Sequence, residues 1–142
     1  MSWEQDIRSI SRTAGVDLSN YKNKFVMLNA AGQVIPCTAG AQPLGVLRNN
    51  PGAGQTATVA YAGVIKTQCG TAVTPQTPVK SDANACAAPA IAASVNTSDA
   101  GASSDPVVGS FVAGIPLEAA AAGDVFPLLL SFGAGAIPAT AA

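Results

Sequence analysis

The sequence predicts a mainly β fold: a compact β-barrel or β-sandwich with an internal strand–turn–strand duplication, plus a short N-terminal helical or extended arm. Three observations support this prediction. Past residue 23 the chain consists of short runs rich in β-branched and apolar residues. Glycine, proline and asparagine separate the runs, as turns between strands require. The order of the runs then recurs, which indicates two related halves.

Length limits the architecture to one domain, or to two small ones that share a core. The chain has 142 residues, of which 49% are hydrophobic and 11% are charged. A typical soluble domain has about 25% charged residues, so charge is scarce here. The predicted organisation is an N-terminal arm (residues 1–23), a β-rich domain (24–135) and a C-terminal tail (136–142).

The first 24 residues hold seven of the fifteen charged residues, and the arm carries a helix signal. Ser2 and Gln5 have the spacing of a capping box. Apolar residues at helical spacing predict an amphipathic helix over residues 3–13. A helix this short is marginal alone in water, so its apolar stripe needs a surface on which to dock. This surface belongs either to its own domain or to a partner, and the candidate interface residues are Trp3, Ile7, Arg8, Ile10 and Arg12.

The β-rich domain has eight predicted strands bounded by turn residues. They cover residues 25–28, 33–36, 44–47, 56–62, 64–67, 78–80, 107–113 and 125–132. Two alanine-rich stretches, 85–93 and 118–122, have the propensity for short helices.

The two halves of the domain align with different offsets. Val26 lines up with Val79, an offset of 53 (79 minus 26), and Gly54 lines up with Gly123, an offset of 69 (123 minus 54). The difference of 16 residues predicts an insertion in the second half. We expect it at about residues 90–105, as an exposed loop rich in Ala, Ser, Asn and Asp.

The sequence lacks the residues on which most catalytic and metal-binding sites depend. The chain has no histidine, which removes the commonest general base and metal ligand. A nucleophilic serine or cysteine paired with histidine is therefore impossible. Cys37, Cys69 and Cys86 have no C-x-x-C spacing, so we expect no metal and no cofactor. Three buried thiols are the simpler interpretation, although a Cys37–Cys69 bridge remains open.

The charge and hydropathy of the sequence argue against nucleic acid and against a membrane as partners. A net charge of -1 gives little electrostatic attraction for nucleic acid. No run of about 18 apolar residues is present, so we expect no membrane span. Two acidic residues stand near the N-terminus where a signal peptide would carry basic ones, which predicts synthesis in a cytoplasm.

The order of motifs resembles the small β-rich cement proteins, or head decoration proteins, of tailed-bacteriophage capsids. In that family a strand and turn precede a Pro-Leu-Gly-Val element, a Gly-led turn and a Val-Ala-x-x-Gly-Val strand, after which the unit recurs. The matching pieces are residues 26–32, 43–47, 52–54 and 58–64, then 78–82, 108–109 and 117–124. The resemblance covers about residues 24–133.

The resemblance implies a structural virion protein rather than an enzyme. It implies binding to the major capsid protein on the outer surface of the assembled head, association into a homotrimer, and stabilisation of the head against internal DNA pressure. The protein would be made in the host cytoplasm and end on the virion.

Two alternatives belong to other classes. A secreted or surface β-sandwich module that recognises carbohydrate or a host surface would need clustered aromatics, and the candidates are Trp3, Tyr21 and Tyr61. A small hydrolase without histidine could use Ser19 and Lys22, which form an S-x-x-K pattern.

Overall fold

The fold, in a computed structural model that describes residues 4–90 and 110–136, is a single curled antiparallel sheet. Those residues contain strands and turns and no helix. The nine strands are β1 (Gln5–Thr13), β2 (Phe25–Leu28), β3 (Val34–Pro36), β4 (Gly45–Leu47), β5 (Thr56–Gln68), β6 (Val79–Ser81), β7 (Ala87–Pro89), β8 (Ser110–Pro116) and β9 (Val125–Ala136). The mainly β, barrel-like prediction is confirmed.

The strand order has an internal symmetry. The sheet runs β3-β2-β4-β5-β9-β8-β6-β7, and β1 pairs separately with β5. Outward from the central β5–β9 pair, each strand on one side has an equivalent strand at the same position on the other side. The first half contributes β4, β2 and β3, and the second half contributes β8, β6 and β7. The chain therefore contains two copies of one unit.

Strand registers confirm the duplication residue by residue. Val26 pairs with Pro36 in the first half, and Val79 pairs with Pro89 in the second, so both partners keep the predicted offset of 53. The offset of 69 holds between β4 and β8, and between β5 and β9. The offset changes between Pro89 and Gly114, around the predicted insertion. Most of that insertion, and most of the predicted tail, lie outside the described residues.

The turn after the first strand of each pair is built in the same way. The Asn29 side-chain oxygen accepts hydrogen bonds from the backbone N–H groups of Ala31 (3.0 Å) and Gln33 (2.9 Å). In the second half Asp82 does the same for Asn84 (2.8 Å) and Cys86 (2.9 Å). Asn and Asp share this ability to close a turn with their own side chain, which explains why the repeat is hard to see in the letters.

The predicted N-terminal helix is wrong over the described part of the arm, which forms the extended strand β1. Ser9, Ser11 and Thr13 contribute to its pairing with β5. A helix of about a dozen residues has little stability of its own, whereas β5 offers an unpaired edge along its first half. Tertiary pairing therefore overrides the apolar period that suggested a helix.

β1 is also part of the repeat. Thr13 pairs with Thr56 at the start of β5, and Gln68 pairs with Val125 at the start of β9. Thus β1 corresponds to the second half of β5, with an offset of 55 (68 minus 13). Copy one comprises β1 to β4 and residues 56–62 of β5. Copy two comprises residues 64–68 of β5 and β6 to β9.

Neither alanine-rich stretch forms a helix where it is described. Ala87–Pro89 is the edge strand β7, and Ala120 forms an antiparallel bridge with Val73. Ala85 has a φ of 63°, which closes the preceding turn and is incompatible with a right-handed helix. Pairing with β6 then satisfies the backbone of β7.

The core divides along the repeat. One cluster lies within copy one and contains Ala14, Leu18, Val26, Val34, Leu47, Ala57 and Val59. The larger cluster holds the counterparts of most of these in copy two, including Cys69, Val73, Val79, Ala87, Phe126 and Leu128. It also contains residues of copy one, so the core of copy two is completed by copy one.

Candidate interaction surface

The arm residues predicted as one apolar stripe are separated in the structure. Ile7 is half-buried and packs against the larger core cluster, whereas Ile10 is exposed. Ile7 lies where β1 carries an irregularity in its pairing with β5, between Gln5 and Arg8. Asp6 there has a φ of 51°, as a local bulge requires. Trp3, the remaining member of the stripe, lies outside the described residues.

Ile10 lines a shallow apolar groove of about 370 Å³. The groove lies between β1, β5 and the segment that leads into β4. Tyr61 is skipped in the pairing, since Arg8 pairs with Ala62 and Ser9 with Ala60, and this bulge directs Tyr61 to the groove. The lining residues are Ile10, Gln42, Pro43, Leu44 and Tyr61.

The two arginines of the candidate site are exposed on β1, at alternate positions with Ile10 between them. Arg12 lines a polar depression of about 420 Å³ together with Ser11, Thr13 and the turn that precedes β3. Its guanidinium lies against Gly32, where a Cβ would stand 2.9 Å from Nη2. β1 thus presents one apolar and two cationic side chains to solvent.

The structure also contains a cationic cleft that was not predicted from sequence. Three of the seven lysines and arginines of the chain, Lys22, Arg48 and Lys66, line a cleft of about 240 Å³ with Glu4 and Asn23. The Glu4 carboxylate lies 3.6 Å from the Arg48 guanidinium. Because the three cations belong to three separate segments, no local motif announces the cleft.

The thiols are free and buried, in agreement with the simpler sequence interpretation. The Cys69 Sγ donates a hydrogen bond to the Ala121 carbonyl at 2.9 Å. Burial raises the pKa of all three thiols, Cys37, Cys69 and Cys86. Reactive cysteines instead have lowered pKa values in electropositive, accessible settings, so the environment of these thiols is structural.

The residues of the hydrolase alternative lie in exposed turns between β1 and β2. Ser19 is exposed and its backbone N–H donates to the Asp17 carboxylate at 3.0 Å. Lys22 is exposed and lines the cationic cleft. Within the described ranges no group of three or more Cys, Asp or Glu side chains is placed to hold a metal ion. The same ranges contain no helix long and apolar enough to cross a membrane.

Comparison with solved structures finds the same fold in a bacteriophage protein. The crystal structure described as the "head fiber gp8.5 N base in bacteriophage phi29" matches with a TM-score of 0.58 and 15% sequence identity. The match covers 88% of this chain and 94% of the other. No protein-family model matches the sequence, and no curated protein matches it. At this identity the similarity shows that the two chains share a fold.

Proposed function

We propose that the protein is a structural component of a tailed-bacteriophage head, which binds the outer surface of the capsid and stabilises the assembled shell. The observation that carries the proposal is the fold shared with a head fibre base over 88% of the chain. The motif order points independently to capsid cement proteins. The shared fold and the motif order both favour a virion protein that attaches to the head.

A non-enzymatic role fits the chemistry of the described surface. The apolar groove contains one hydroxyl, that of Tyr61, and the polar depression combines two hydroxyls with the Arg12 guanidinium. In the cationic cleft the one carboxylate, Glu4, lies against Arg48. A protein that covers a capsid needs contact area instead, distributed over many modest interactions. Self-association, with a homotrimer as the expected form, would add avidity to these contacts.

The major capsid protein is the proposed partner, and acidic side chains on its outer surface would fit the cationic cleft. Lys22, Arg48 and Lys66 bring three positive charges together against the single carboxylate of Glu4. Clustered cations of this kind attract carboxylates and accelerate association, with an effect that falls as salt rises. Arg8 and Arg12, both exposed on β1, offer two further cations for such contacts.

Co-sedimentation with expanded, DNA-free capsids tests the proposal. We expect the wild-type protein to pellet with capsids, and the Lys66→Glu variant to bind at least tenfold more weakly at low salt. Lys80→Glu is the matched control, because Lys80 lies on β6, away from the cleft. A wild-type protein that stays in the supernatant would contradict the proposal and favour the carbohydrate-binding or surface-binding module. Equal losses in both variants would exclude the cleft as the contact.

A further inference from the structure

Copy one and copy two are packed together head to tail inside the chain. Copy one contributes Phe25, Val46 and Ala60 to the larger core cluster, and we call these three side chains the donor face. In copy two the same cluster contains Ile65, Ala113 and Leu130, which we call the acceptor face.

Hydrogen bonds reinforce this internal contact. The Gly40 N–H of copy one donates to the Ser81 carbonyl at 2.9 Å, and the Phe111 N–H of copy two donates to the Gly40 carbonyl at 3.1 Å. The Phe25 N–H donates to the Ala85 carbonyl at 2.8 Å. The two copies therefore meet through an apolar contact with polar contacts at its margin.

Because the unit is duplicated, copy one has its own acceptor face, in which two of the three side chains are exposed and the third, Leu44, is half-buried. By the offsets of 55 and 69 it consists of Ile10, Leu44 and Tyr61, the apolar groove described above. Ile10 is 36% exposed, whereas its counterpart Ile65 is 1% exposed. Copy one thus lacks the cover that copy two receives.

Copy two likewise has an unused donor face. The counterparts of Phe25, Val46 and Ala60 are Pro78, Ile115 and Leu129. Leu129 is 40% exposed, whereas Ala60 is fully buried. The molecule therefore leaves one acceptor face and one donor face open, each on a different copy.

Exposed apolar residues concentrate on these two faces and their margin. Seven large apolar side chains of the described residues are exposed, and four of them have a buried counterpart in the other copy. These four are Ile10, Leu28, Tyr61 and Leu129. The other three, whose counterparts are exposed, are Val16, Phe111 and Val125. If apolar side chains were exposed at random over the surface, their counterparts in the other copy would not be buried so often.

We propose that the donor face of one chain packs on the acceptor face of a second copy of the same chain, repeating between molecules the contact that joins the two copies within one. The occupant of the groove is thus copy two of a neighbouring molecule, through Ile115 and Leu129. Such a contact is heterologous, since it joins two different surfaces, and it generates a closed ring when the rotation closes. This inference deepens the self-association part of the proposed function and specifies its interface.

The contact between molecules relies on apolar packing more than the internal one does. Phe25 donates its N–H to copy two, but the counterpart Pro78 has no N–H. The Ser81 side chain, whose hydroxyl donates to the Cys37 carbonyl at 3.5 Å, is replaced in copy one by Leu28. The contact between molecules therefore has fewer polar groups than the contact within the chain. Such a composition suits an interface that forms after each chain has folded.

Light scattering on the full chain, without capsids, tests the interface. We expect the wild-type mass to exceed the 14.0 kDa of the protomer and to rise with concentration until the assembly is complete. Leu129→Asp removes the donor face and Tyr61→Asp removes the acceptor face, so each variant alone should be monomeric. Val16→Asp, at an exposed position with an exposed counterpart, should assemble like the wild type. Circular dichroism checks that each variant is folded.

Mixing the two folded variants gives the decisive result. Each retains one intact face, so an equimolar mixture should form a dimer of about 28 kDa, twice the protomer mass, and no larger species. A monomeric wild type, or a mixture that stays monomeric, would overturn the inference. Capsid binding is measured separately by co-sedimentation, so loss of the interface and failure of the proposed function give different results.

Discussion

Two residues at equivalent positions of the two copies, Gly45 and Gly114, are glycine because the neighbouring strands leave no space for a side chain. A Cβ on Gly45 would collide with the carbonyl oxygen of Ala60. A Cβ on Gly114, the counterpart of Gly45 in copy two, would collide in the same way with the Leu129 carbonyl. Backbone atoms cannot yield as the end of a flexible side chain can, so the strands themselves would have to separate.

We therefore expect Gly45→Ala and Gly114→Ala each to lower the free energy of unfolding by about 1–3 kcal/mol, the usual cost of forcing extra atoms into a packed site. Urea denaturation followed by circular dichroism measures the effect. Gly52→Ala is the matched control, because its Cβ would meet its nearest atom at an ordinary 3.4 Å. If all three variants were equally stable, close strand approach would not explain the two glycines.

The buried thiols make stability depend on pH in the alkaline range. Because burial raises the folded-state pKa of Cys37, Cys69 and Cys86, the unfolded chain loses these protons at lower pH than the folded chain. Stability from this source is fully present below the unfolded thiol pKa of about 8.5, and it is lost as pH rises through the folded values.

We expect the urea midpoint to fall between pH 8 and pH 10 in the wild-type protein. The fall should be smaller in a variant with all three cysteines replaced by alanine, because that chain has no thiols to ionise on unfolding. Native-state labelling with a thiol reagent at pH 8 should also be slow compared with labelling in urea. Equal pH dependence in both proteins would show that the thiols do not contribute.

At the scale of elements, β1 shows how tertiary pairing reassigns a segment. Its sequence has a helical apolar period, yet β5 supplies a strand edge along which residues from Ser9 to Thr13 pair in register. After β1, the Ala14 N–H donates to the Gln55 carbonyl at 2.8 Å, and Ala14 is buried in the core of copy one. The segment is thus an integral part of the sheet.

Truncation of the arm should consequently unfold the protein. From the sequence, with the arm interpreted as a docking helix, removal of residues 1–15 would abolish capsid binding and leave a folded domain. From the structure, we expect loss of the cooperative thermal transition, because the edge of β5 and the copy-one core are both uncovered. Ser11→Ala, an exposed change within β1, should retain the wild-type transition. A folded truncated protein would show that β1 is dispensable to the sheet.

At the scale of the whole molecule, β5 links the two copies into one cooperative unit. Its first half belongs to copy one and pairs with β4, whereas its second half pairs with β9 of copy two. The larger core cluster also draws side chains from both copies. Neither copy can therefore unfold without exposing apolar surface of the other.

Calorimetry should accordingly give a single transition in the unassembled Leu129→Asp variant, with a ratio of calorimetric to van't Hoff enthalpy of about one. Two resolved transitions, or a ratio well above one, would indicate that the copies unfold independently. This monomeric variant separates intrachain cooperativity from the effects of association.

The β class, most strand positions and the duplication follow from the sequence alone, because turn residues and alternating apolar runs are local signals. The pairings Val26–Pro36 and Val79–Pro89 confirm an offset that the letters only weakly indicate. Absence of histidine likewise limits the chemistry before any coordinates are considered.

Only the tertiary structure decided where β1 lies and which residues form the candidate surfaces. Ile7 and Ile10 share a helical period, but a strand with a bulge separates them. Lys22, Arg48 and Lys66 are distant in sequence and meet only in the folded chain. Burial of Ile65 but not of its counterpart Ile10 depends on which copy covers the other. These features depend on long-range contacts, which no short window of sequence contains.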